Sequence, residues 1–235
     1  MALQRLDKLI SAATTLSRKD VKALVKTGRI TVDGKRVSSA DEKYDHLAAE
    51  IRVDGKIISY KKNHYFMLNK PAGFLSATED SRDRTVLDLL EENDRAFDLF
   101  PAGRLDKDSE GLLILTDDGE YCHNIISPKK HVYKTYYVEV EAPLEKTDCD
   151  AFEKGIVLGD GMVCLPGKLE ITGEKTGLVT IREGKFHQVK RMLGSLGKKV
   201  TYLKRLSIGN LELDPSLAKG EYREMTETEV QKVFE

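Results

Sequence analysis

The densest apolar run in this chain is only four residues long, Leu112-Leu113-Ile114-Leu115. A helix that spans a bilayer needs about 20 predominantly apolar residues, so we expect no membrane span. Arg5, Asp7 and Lys8 lie where a secretory signal peptide would have its apolar core. With 235 residues, 40% of them hydrophobic, the chain can build a packed core in one large domain or in two smaller ones.

The cysteines give a second constraint, on compartment and on metal binding. Cys122, Cys149 and Cys164 are odd in number, widely separated and form no CxxC pair. This pattern predicts neither a disulfide framework nor a zinc site. We therefore expect a reducing, cytoplasmic location.

Local signals divide residues 1–60 into two short helices and hairpins. Apolar residues recur at helical spacing at Leu3, Leu6, Leu9, Ile10 and Ala13. Ser17 and Asp20 have the capping-box spacing that begins a second helix, and Gly28 is expected to end it. Asp33-Gly34, between short β-type runs, predicts a tight hairpin. The polar stretch 59–63 is typical of a linker, so we predict a first domain of residues 1–60.

The remaining residues, 61–235, mix strand and helix patterns without an internal repeat. Strands are predicted at 64–68, 111–116, 132–140 and 178–182. Helices are predicted after Thr85, after Arg182 and after Thr226. Hairpin-like strand pairs outnumber strand–helix alternation, which favours an α+β fold over a doubly wound sheet.

Charge is distributed unevenly, although the net formal charge is −1. Residues 1–36 hold nine Lys or Arg against three Asp, and residues 182–205 hold eight against one Glu. Two such stretches in a neutral protein indicate two contacts along one polyanion. The alternative for either stretch is a solvated helix face.

Candidate chemical groups lie in three places. Residues 100–111 are the densest polar loop of the second segment and run directly into a buried strand, where functional loops often lie. An ordinary surface turn is the alternative. Lys134 and Tyr136 alternate with the strand period, so either they offer a cation and a flat surface for a base, or they are core residues. Lys190 lies at the edge of an apolar helix stripe, where it could pair with an acid or face solvent.

Five short segments together resemble the RsuA family of RNA pseudouridine synthases. Arg5-Leu6-Asp7-Lys8 and the helices and hairpin that follow resemble an S-four-type RNA-binding domain. The other four segments resemble the family's catalytic-domain motifs in order and spacing: 66–73, Gly103-Arg104-Leu105-Asp106, Lys134-Thr135-Tyr136 and 183–192. The resemblance implies an α+β architecture: a helix-helix-hairpin (αL motif) domain at 1–60, and a catalytic domain at 61–235 built on a mixed, mostly antiparallel sheet flanked by helices.

The resemblance also implies a reaction and a site. The family isomerises uridine to pseudouridine within RNA, with no metal, cofactor or cosubstrate. Asp106 matches the essential carboxylate, Lys190 its basic partner, and Tyr136 a stacking platform for a flipped uracil. Arg104 would fill the space that the base leaves or hold the adjacent phosphate. RNA-binding residues expected from the basic stretches and motifs are Arg5, Arg18, Lys19, Lys22, Lys26, Lys134, Arg191 and Arg205.

Within the family, residues 116–119 and Ser127-Pro128 resemble the branch that acts on 16S ribosomal RNA of the small subunit. We therefore expect 16S ribosomal RNA, or a partly assembled small subunit, as the partner of a monomeric enzyme. Two alternatives stay open: a synthase for large-subunit RNA, and a non-catalytic RNA-binding or ribosome-assembly protein. The presence of all four catalytic-domain motifs argues against the second.

Overall fold

The computed structural model describes residues 3–45, 48–58 and 63–235. The chain divides into two compact units, Met1–Asn63 with Glu91–Asp98, and His64–Leu90 with Leu99–Glu235. The linker was expected at residues 59–63 and the domain boundary between 60 and 61. Residues 59–62, and with them this boundary, lie outside the described ranges. No helix among the described residues is both long and apolar enough to cross a membrane.

The described elements confirm an α+β fold. The helices are Leu6–Ala13 (α1), Arg18–Lys26 (α2), Glu92–Arg95 (α3), Gly119–Ile126 (α4), Lys146–Lys154 (α5), Gln188–Ser195 (α6) and Glu227–Lys232 (α7). The strands are Gln4–Arg5 (β1), Ile30–Val32 (β2), Lys35–Arg36 (β3), Lys43–Tyr44 (β4), Ile51–Val53 (β5), Lys56–Ile57 (β6), Tyr65–Lys70 (β7), Phe100–Pro101 (β8), Glu110–Thr116 (β9), Lys134–Val140 (β10), Lys168–Gly173 (β11), Thr176–Ile181 (β12), Val200–Ile208 (β13), Leu211–Glu212 (β14) and Tyr222–Glu224 (β15).

The first unit follows its local sequence signals closely. Ser17 and Asp20 form both hydrogen bonds of the capping box that begins α2. Asp33 and Gly34 both adopt positive φ, 49° and 76°, as the two-residue turn between β2 and β3 requires. These strands belong to a four-stranded sheet with the order β3-β2-β5-β6. The prediction of Leu3 as a helix residue is wrong: it precedes α1 and is 62% exposed, so it packs on no helix face.

The second unit is organised by one nine-stranded sheet. Its main path is β11-β12-β10-β13-β9-β7-β15, with β14 added to β13 and β8 added to β9. Among the described strands of this sheet, β9 and β13 pair in parallel and the other pairs are antiparallel. Every residue of β9 is buried, so this strand is the centre of the unit.

Several elements of the second unit were missed or mistaken in the sequence, among them five strands that were not predicted, β8, β11, β13, β14 and β15. Helix α4 begins directly after β9, because the carboxylate of Asp118 accepts hydrogen bonds from the backbone N–H groups of Glu120 and Tyr121. The same Asp-Asp-Gly segment is typical of a turn when only local chemistry is considered. Helix α5 carries mostly charged residues and buries few apolar ones, so it lacks a clear periodic signal. The helix expected after Thr85 is a 3₁₀ turn, Val86–Leu89.

Gly111 is required where β9 approaches β13. Its φ is +102°, and a Cβ at this position would overlap the backbone carbonyl oxygen of Arg205 and lie 2.8 Å from its backbone nitrogen. Only glycine therefore allows the parallel pairing of these strands.

Replacing Gly111 by Ala is expected to destabilise the protein more than replacing Gly161. Gly161 is a matched control, since its φ is +83° and a Cβ added there would have no heavy atom within 4 Å. Gly161→Ala should cost about 1–2 kcal/mol from backbone conformation alone. Gly111→Ala should add roughly 1–3 kcal/mol from overlap with β13. Thermal unfolding measures both, and equal losses would contradict the argument.

Candidate active site

The second unit contains a cavity of about 740 Å³. Its wall is formed by residues 75–77, the loop 101–107, strand β10, residues 184–187 and one side of α4. Three of the four residues expected at the active site, Arg104, Asp106 and Tyr136, line it. The fourth, Lys190, contacts Asp106 directly. Motifs that lie far apart in sequence thus meet at one concave surface.

A buried lysine holds the loop that carries Asp106. Lys70, at the end of β7, is fully buried. Its ammonium donates to the backbone carbonyl oxygens of Asp106 at 3.1 Å, Ser109 at 2.8 Å and Pro71 at 3.0 Å, with that of Lys107 at 3.4 Å. Burial lowers the pKa of Lys70 to about 8. A charge without solvent is tolerated here because carbonyl oxygens surround it.

Two further contacts fix the loop from the side of residues 73–76. The hydroxyl of Ser76 accepts a hydrogen bond from the Leu105 N–H at 3.0 Å, and it donates to the Leu105 carbonyl at 2.9 Å. The Gly73 N–H donates to the Lys107 carbonyl at 2.7 Å. The backbone on both sides of Asp106 is therefore bound, which is the kind of support that a reactive side chain needs.

The carboxylate of Asp106 lies between two basic side chains of the last motif. Its Oδ2 is 3.0 Å from Lys190 Nζ, and its Oδ1 is 3.4 Å from His187 Nε2. The Asp106 side chain is 22% exposed, so it is shielded but reachable. The Lys190 ammonium and the Asp106 carboxylate attract each other at a position where much of the surrounding water is excluded, which strengthens the interaction.

Lys190 also binds Asp108, at 2.5 Å. Burial alone would lower the pKa of Lys190, but hydrogen bonds to Asp108 and Asp106 raise that pKa above its ordinary value. The hydrogen bond from Lys190 in turn lowers the pKa of Asp108. The expectation that Lys190 pairs with an acid is therefore confirmed, with two acids instead of one.

Tyr136 lies on the cavity wall because β10 alternates. Residues 134, 136, 138 and 140 are buried and share one face of the strand, as predicted. Tyr136 is only 7% exposed, and it lines the cavity. The guanidinium carbon of Arg205 lies 6.0 Å from its ring centroid.

Lys134 and Arg205, both expected to bind RNA, are buried in the cavity wall and do not lie on the outer surface. Lys134 Nζ donates to the carbonyls of Ile125 and Val132, each at 2.9 Å, and so binds the last turn of α4. Burial, with a smaller effect from the Arg205 charge, lowers the pKa of Lys134 to about 8. Arg205 Nε donates to the Leu112 carbonyl at 2.7 Å. Arg205 Nη2 is buried without a hydrogen-bond partner among the described residues. Both side chains thus lie in the wall, and Arg205 is not part of an exposed basic surface.

The other basic residues expected to contact RNA fall into two groups. Lys19, Lys22 and Lys26 are exposed on α2, and Arg104 is exposed at the cavity. Arg5, Arg18 and Arg191 are held in ion pairs with acids.

In the first unit, the ion pairs of Arg5 and Arg18 share one acid, Asp7, which is fully buried. Arg5 and Arg18 both bind its carboxylate, at 2.9 Å. The hydrogen bond from Arg5, opposed by burial and assisted by Arg18, lowers the pKa of Asp7 to about 2. Arg5 and Arg18 therefore stabilise the first unit in addition to any contact with a ligand. Arg191 binds Asp160 at 2.5 Å in the second unit.

Sequence reasoning missed Lys70, Ser76, Asp108 and His187 as site residues. Lys70 and His187 lie within the quoted motifs, but nothing in their spacing shows that they converge on residues 105–109. Within residues 3–45, 48–58 and 63–235, no three His, Cys, Asp or Glu side chains are grouped so that they could hold a metal ion.

The cavity of the second unit thus contains an aspartate that is paired with a lysine and lies on a fixed loop, and a buried tyrosine lines the same cavity. The motif resemblance implied this arrangement. The family model for RNA pseudouridylate synthase matches residues 64–195, more than half of the chain, and the S4 domain model matches residues 4–46. The chain belongs to the RNA pseudouridine synthase family, in its RsuA branch, and is an RNA pseudouridine synthase.

Individual relatives match over nearly the whole chain. The uncharacterized RNA pseudouridine synthase YtzG of Bacillus subtilis is 48% identical over 230 residues, covering 96% of each chain. The ribosomal small subunit pseudouridine synthase A of Vibrio cholerae is 41% identical over 231 residues, covering 98% of this chain and 99% of the relative. A crystal structure of a pseudouridylate synthase superposes with a TM-score of 0.69 at 38% identity, and the match covers 97% of this chain and 99% of that chain.

Lys134 predicts a measurable effect of pH on stability. Its pKa of about 8 in the folded protein lies below the ordinary value of 10.5, so between these values the unfolded chain binds more protons. Stability rises with pH wherever this is true. We expect wild type to gain on the order of 2 kcal/mol relative to Lys134→Met between about pH 8 and pH 10.

Urea unfolding at several pH values measures this difference. Lys134→Met also loses the hydrogen bonds of the amine. This loss changes the free energy of unfolding by the same amount at every pH, so it does not alter the pH dependence. Lys154→Met, which removes a lysine at an exposed position on α5, is the control. If the difference in free energy of unfolding between wild type and Lys134→Met did not change with pH, the buried amine would not titrate in this range.

Proposed function

We propose that the protein converts a specific uridine of 16S ribosomal RNA to pseudouridine, with Asp106 as the essential carboxylate acting on a nucleotide flipped out of the RNA. The observation that carries the proposal is the Asp106 carboxylate, which lines the cavity, is bound by Lys190 and lies on a loop fixed by Lys70. The relatives named ribosomal small subunit pseudouridine synthase A support the choice of RNA.

The reaction needs one ionised carboxylate and room for a nucleotide. The bond from ribose C1′ to uracil N1 breaks, the base turns and a bond from C1′ to C5 forms. The C5 proton then leaves for solvent and N1 takes up a proton, so that the product is an isomer of the substrate. Asp106 would either attack C1′ or remove a ribose proton, and both roles need a free lone pair on an ionised oxygen. The Lys190 ammonium lies 3.0 Å from Oδ2 and so provides a cation beside the group that reacts.

The target base has to leave its stack before C1′ can be reached, which costs a few kcal/mol. In the proposal, Tyr136 provides a face on which the flipped uracil stacks, and stacking of this kind contributes about 1–3 kcal/mol per base. Arg104, exposed at the cavity, fills the vacated space or holds the adjacent phosphate. Lys134 and Arg205 then act as cations in the wall that the flipped nucleotide faces.

Exposed cations of the first unit would provide affinity. Lys19, Lys22 and Lys26 lie on one short helix of the predicted RNA-binding domain, 1–60, and contact phosphates in the proposal. Such contacts bind many sequences and weaken as salt rises. The proposed enzyme acts as a monomer, and it acts in the cytoplasm since ribosomal RNA is its substrate.

Asp106→Asn should abolish product formation while leaving folding and RNA affinity nearly unchanged, because the amide keeps the shape but cannot act as nucleophile or base. Asp108→Asn is a matched control: this carboxylate is on the same loop and binds the same lysine, but its side chain is 76% exposed. We expect Asp108→Asn to keep most activity. Tritium release from RNA labelled at uracil C5 measures both, and wild-type release by Asp106→Asn would refute the assignment.

The choice of RNA is tested in cells. Pseudouridines mapped in all ribosomal RNA from a deletion strain should lack a single modified position in 16S RNA, which returns when the wild-type gene but not Asp106→Asn is supplied. Loss of a position in large-subunit RNA instead would overturn the proposed substrate. An unchanged map would favour a non-catalytic role.

A further inference from the structure

The two oxygens of the Asp106 carboxylate have different partners, and the function proposed above uses only one of them. Lys190 binds Oδ2, whereas Oδ1 faces His187 Nε2 at 3.4 Å. The torsion that rotates a carboxylate about its Cβ–Cγ bond is soft and roughly two-fold. A single contact therefore fixes one oxygen but leaves the plane of the group free to turn, whereas two contacts on opposite oxygens fix it.

The local structure around His187 holds its imidazole in place. His187 precedes α6 in the left-handed region, with φ of 49°, a conformation that disfavours most side chains. Its side chain makes no capping hydrogen bond to the helix, although it occupies the N-cap position. The Phe186 ring stacks on the imidazole, with centroids 3.8 Å apart and planes 17° apart, although Phe186 is itself 68% exposed.

These features are not explained by helix capping or by core packing. Ser, Thr, Asp and Asn are the residues that cap helices, and their side chains do so by accepting from the first backbone N–H groups. His187 instead directs its ring to the aspartate, and an exposed aromatic ring supports it from one face. The helix start is therefore shaped so that the imidazole reaches Oδ1.

We infer that His187 is a positioning residue for the reaction: it orients the plane of the Asp106 carboxylate while Lys190 holds the other oxygen. The inference rests on the proposed function, since it assumes that Asp106 performs the chemistry. A carboxylate whose plane turns freely presents its reactive oxygen at the right angle for only part of the time. Loss of the second contact should therefore lower the rate of the chemical step and leave RNA binding unchanged.

Two substitutions separate this role from a structural one. In His187→Gln, the amide nitrogen can reach about as far as Nε2 of histidine and can still donate to Oδ1. In His187→Asn, the amide nitrogen corresponds to Nδ1 and falls short, yet Asn tolerates the left-handed backbone better than Gln does. A backbone role thus predicts that Asn is the better replacement, and a positioning role predicts that Gln is.

The substrate is ribosomal RNA labelled with tritium at uracil C5 and taken from a strain that lacks the protein, so that the target uridine is unmodified whichever subunit holds it. Single-turnover tritium release and RNA affinity are both measured on this RNA. We expect His187→Gln to stay within about threefold of the wild-type rate and His187→Asn to fall about tenfold or more. Both should keep the wild-type Kd within twofold. Their thermal midpoints should be equal, or higher for Asn.

Three results would overturn the inference: an Asn variant at least as fast as the Gln variant, equal losses in both, or a weaker Kd that accounts for the lower rate. The proposed function fails in a different way, through the absence of product with wild-type protein or through activity that survives Asp106→Asn. When wild type is active and depends on Asp106, the comparison of Gln with Asn tests His187 alone.

Discussion

The buried ammonium of Lys70 binds the loop that carries Asp106 to the end of a strand of the large sheet. Lys70 ends β7, the strand that pairs with the central strand β9, and its Nζ is surrounded by carbonyl oxygens of Pro71 and of three residues between 106 and 109. Burying an ammonium is costly, and only a loop folded so that its carbonyls converge can offset that cost. The need to solvate Lys70 internally therefore selects one loop conformation, and that conformation aims Asp106 at the cavity.

The same loop ends in the strand that the sheet is built around. Gly111 lets β9 approach the backbone of Arg205 more closely than any side chain would allow. Arg205 then bonds the Leu112 carbonyl and lies near the Tyr136 ring. The loop that carries Asp106, the Tyr136 ring and the buried side chains of Lys134 and Arg205 are thus attached to neighbouring strands, so that their separations vary little. Preorganisation of this kind favours charged chemistry, because no large rearrangement is needed when a substrate enters.

Features that depend on a few neighbouring residues could be predicted from the sequence, and features that depend on convergence could not. The Ser17–Asp20 capping box and the Asp33-Gly34 turn are local, and both formed as expected. Asp118 shows the limit of local reasoning, because its carboxylate begins a helix where its neighbours resemble a turn. The partners of Lys70 are 36 to 39 residues away for the loop carbonyls, and no periodicity shows that such groups meet. The pairing of Asp106 with Lys190 was accessible because the two motifs resemble a family in which they belong to one site.

The positive charges of this enzyme occur in two settings, one beside Asp106 and one on exposed surface. Lys190 lies 3.0 Å from the Asp106 carboxylate and also binds Asp108, and hydrogen bonds to these two acids raise the pKa of Lys190 above its ordinary value. Asp108 is largely exposed, so water also solvates it and the ion pair needs no further buried charge. The contact between Lys190 and Asp106 is short and partly shielded, so salt screens it little, whereas salt strongly screens the exposed lysines of α2 that the proposal assigns to phosphate contacts. In the proposal, the strength of RNA binding can therefore change without changing the contact between Lys190 and Asp106.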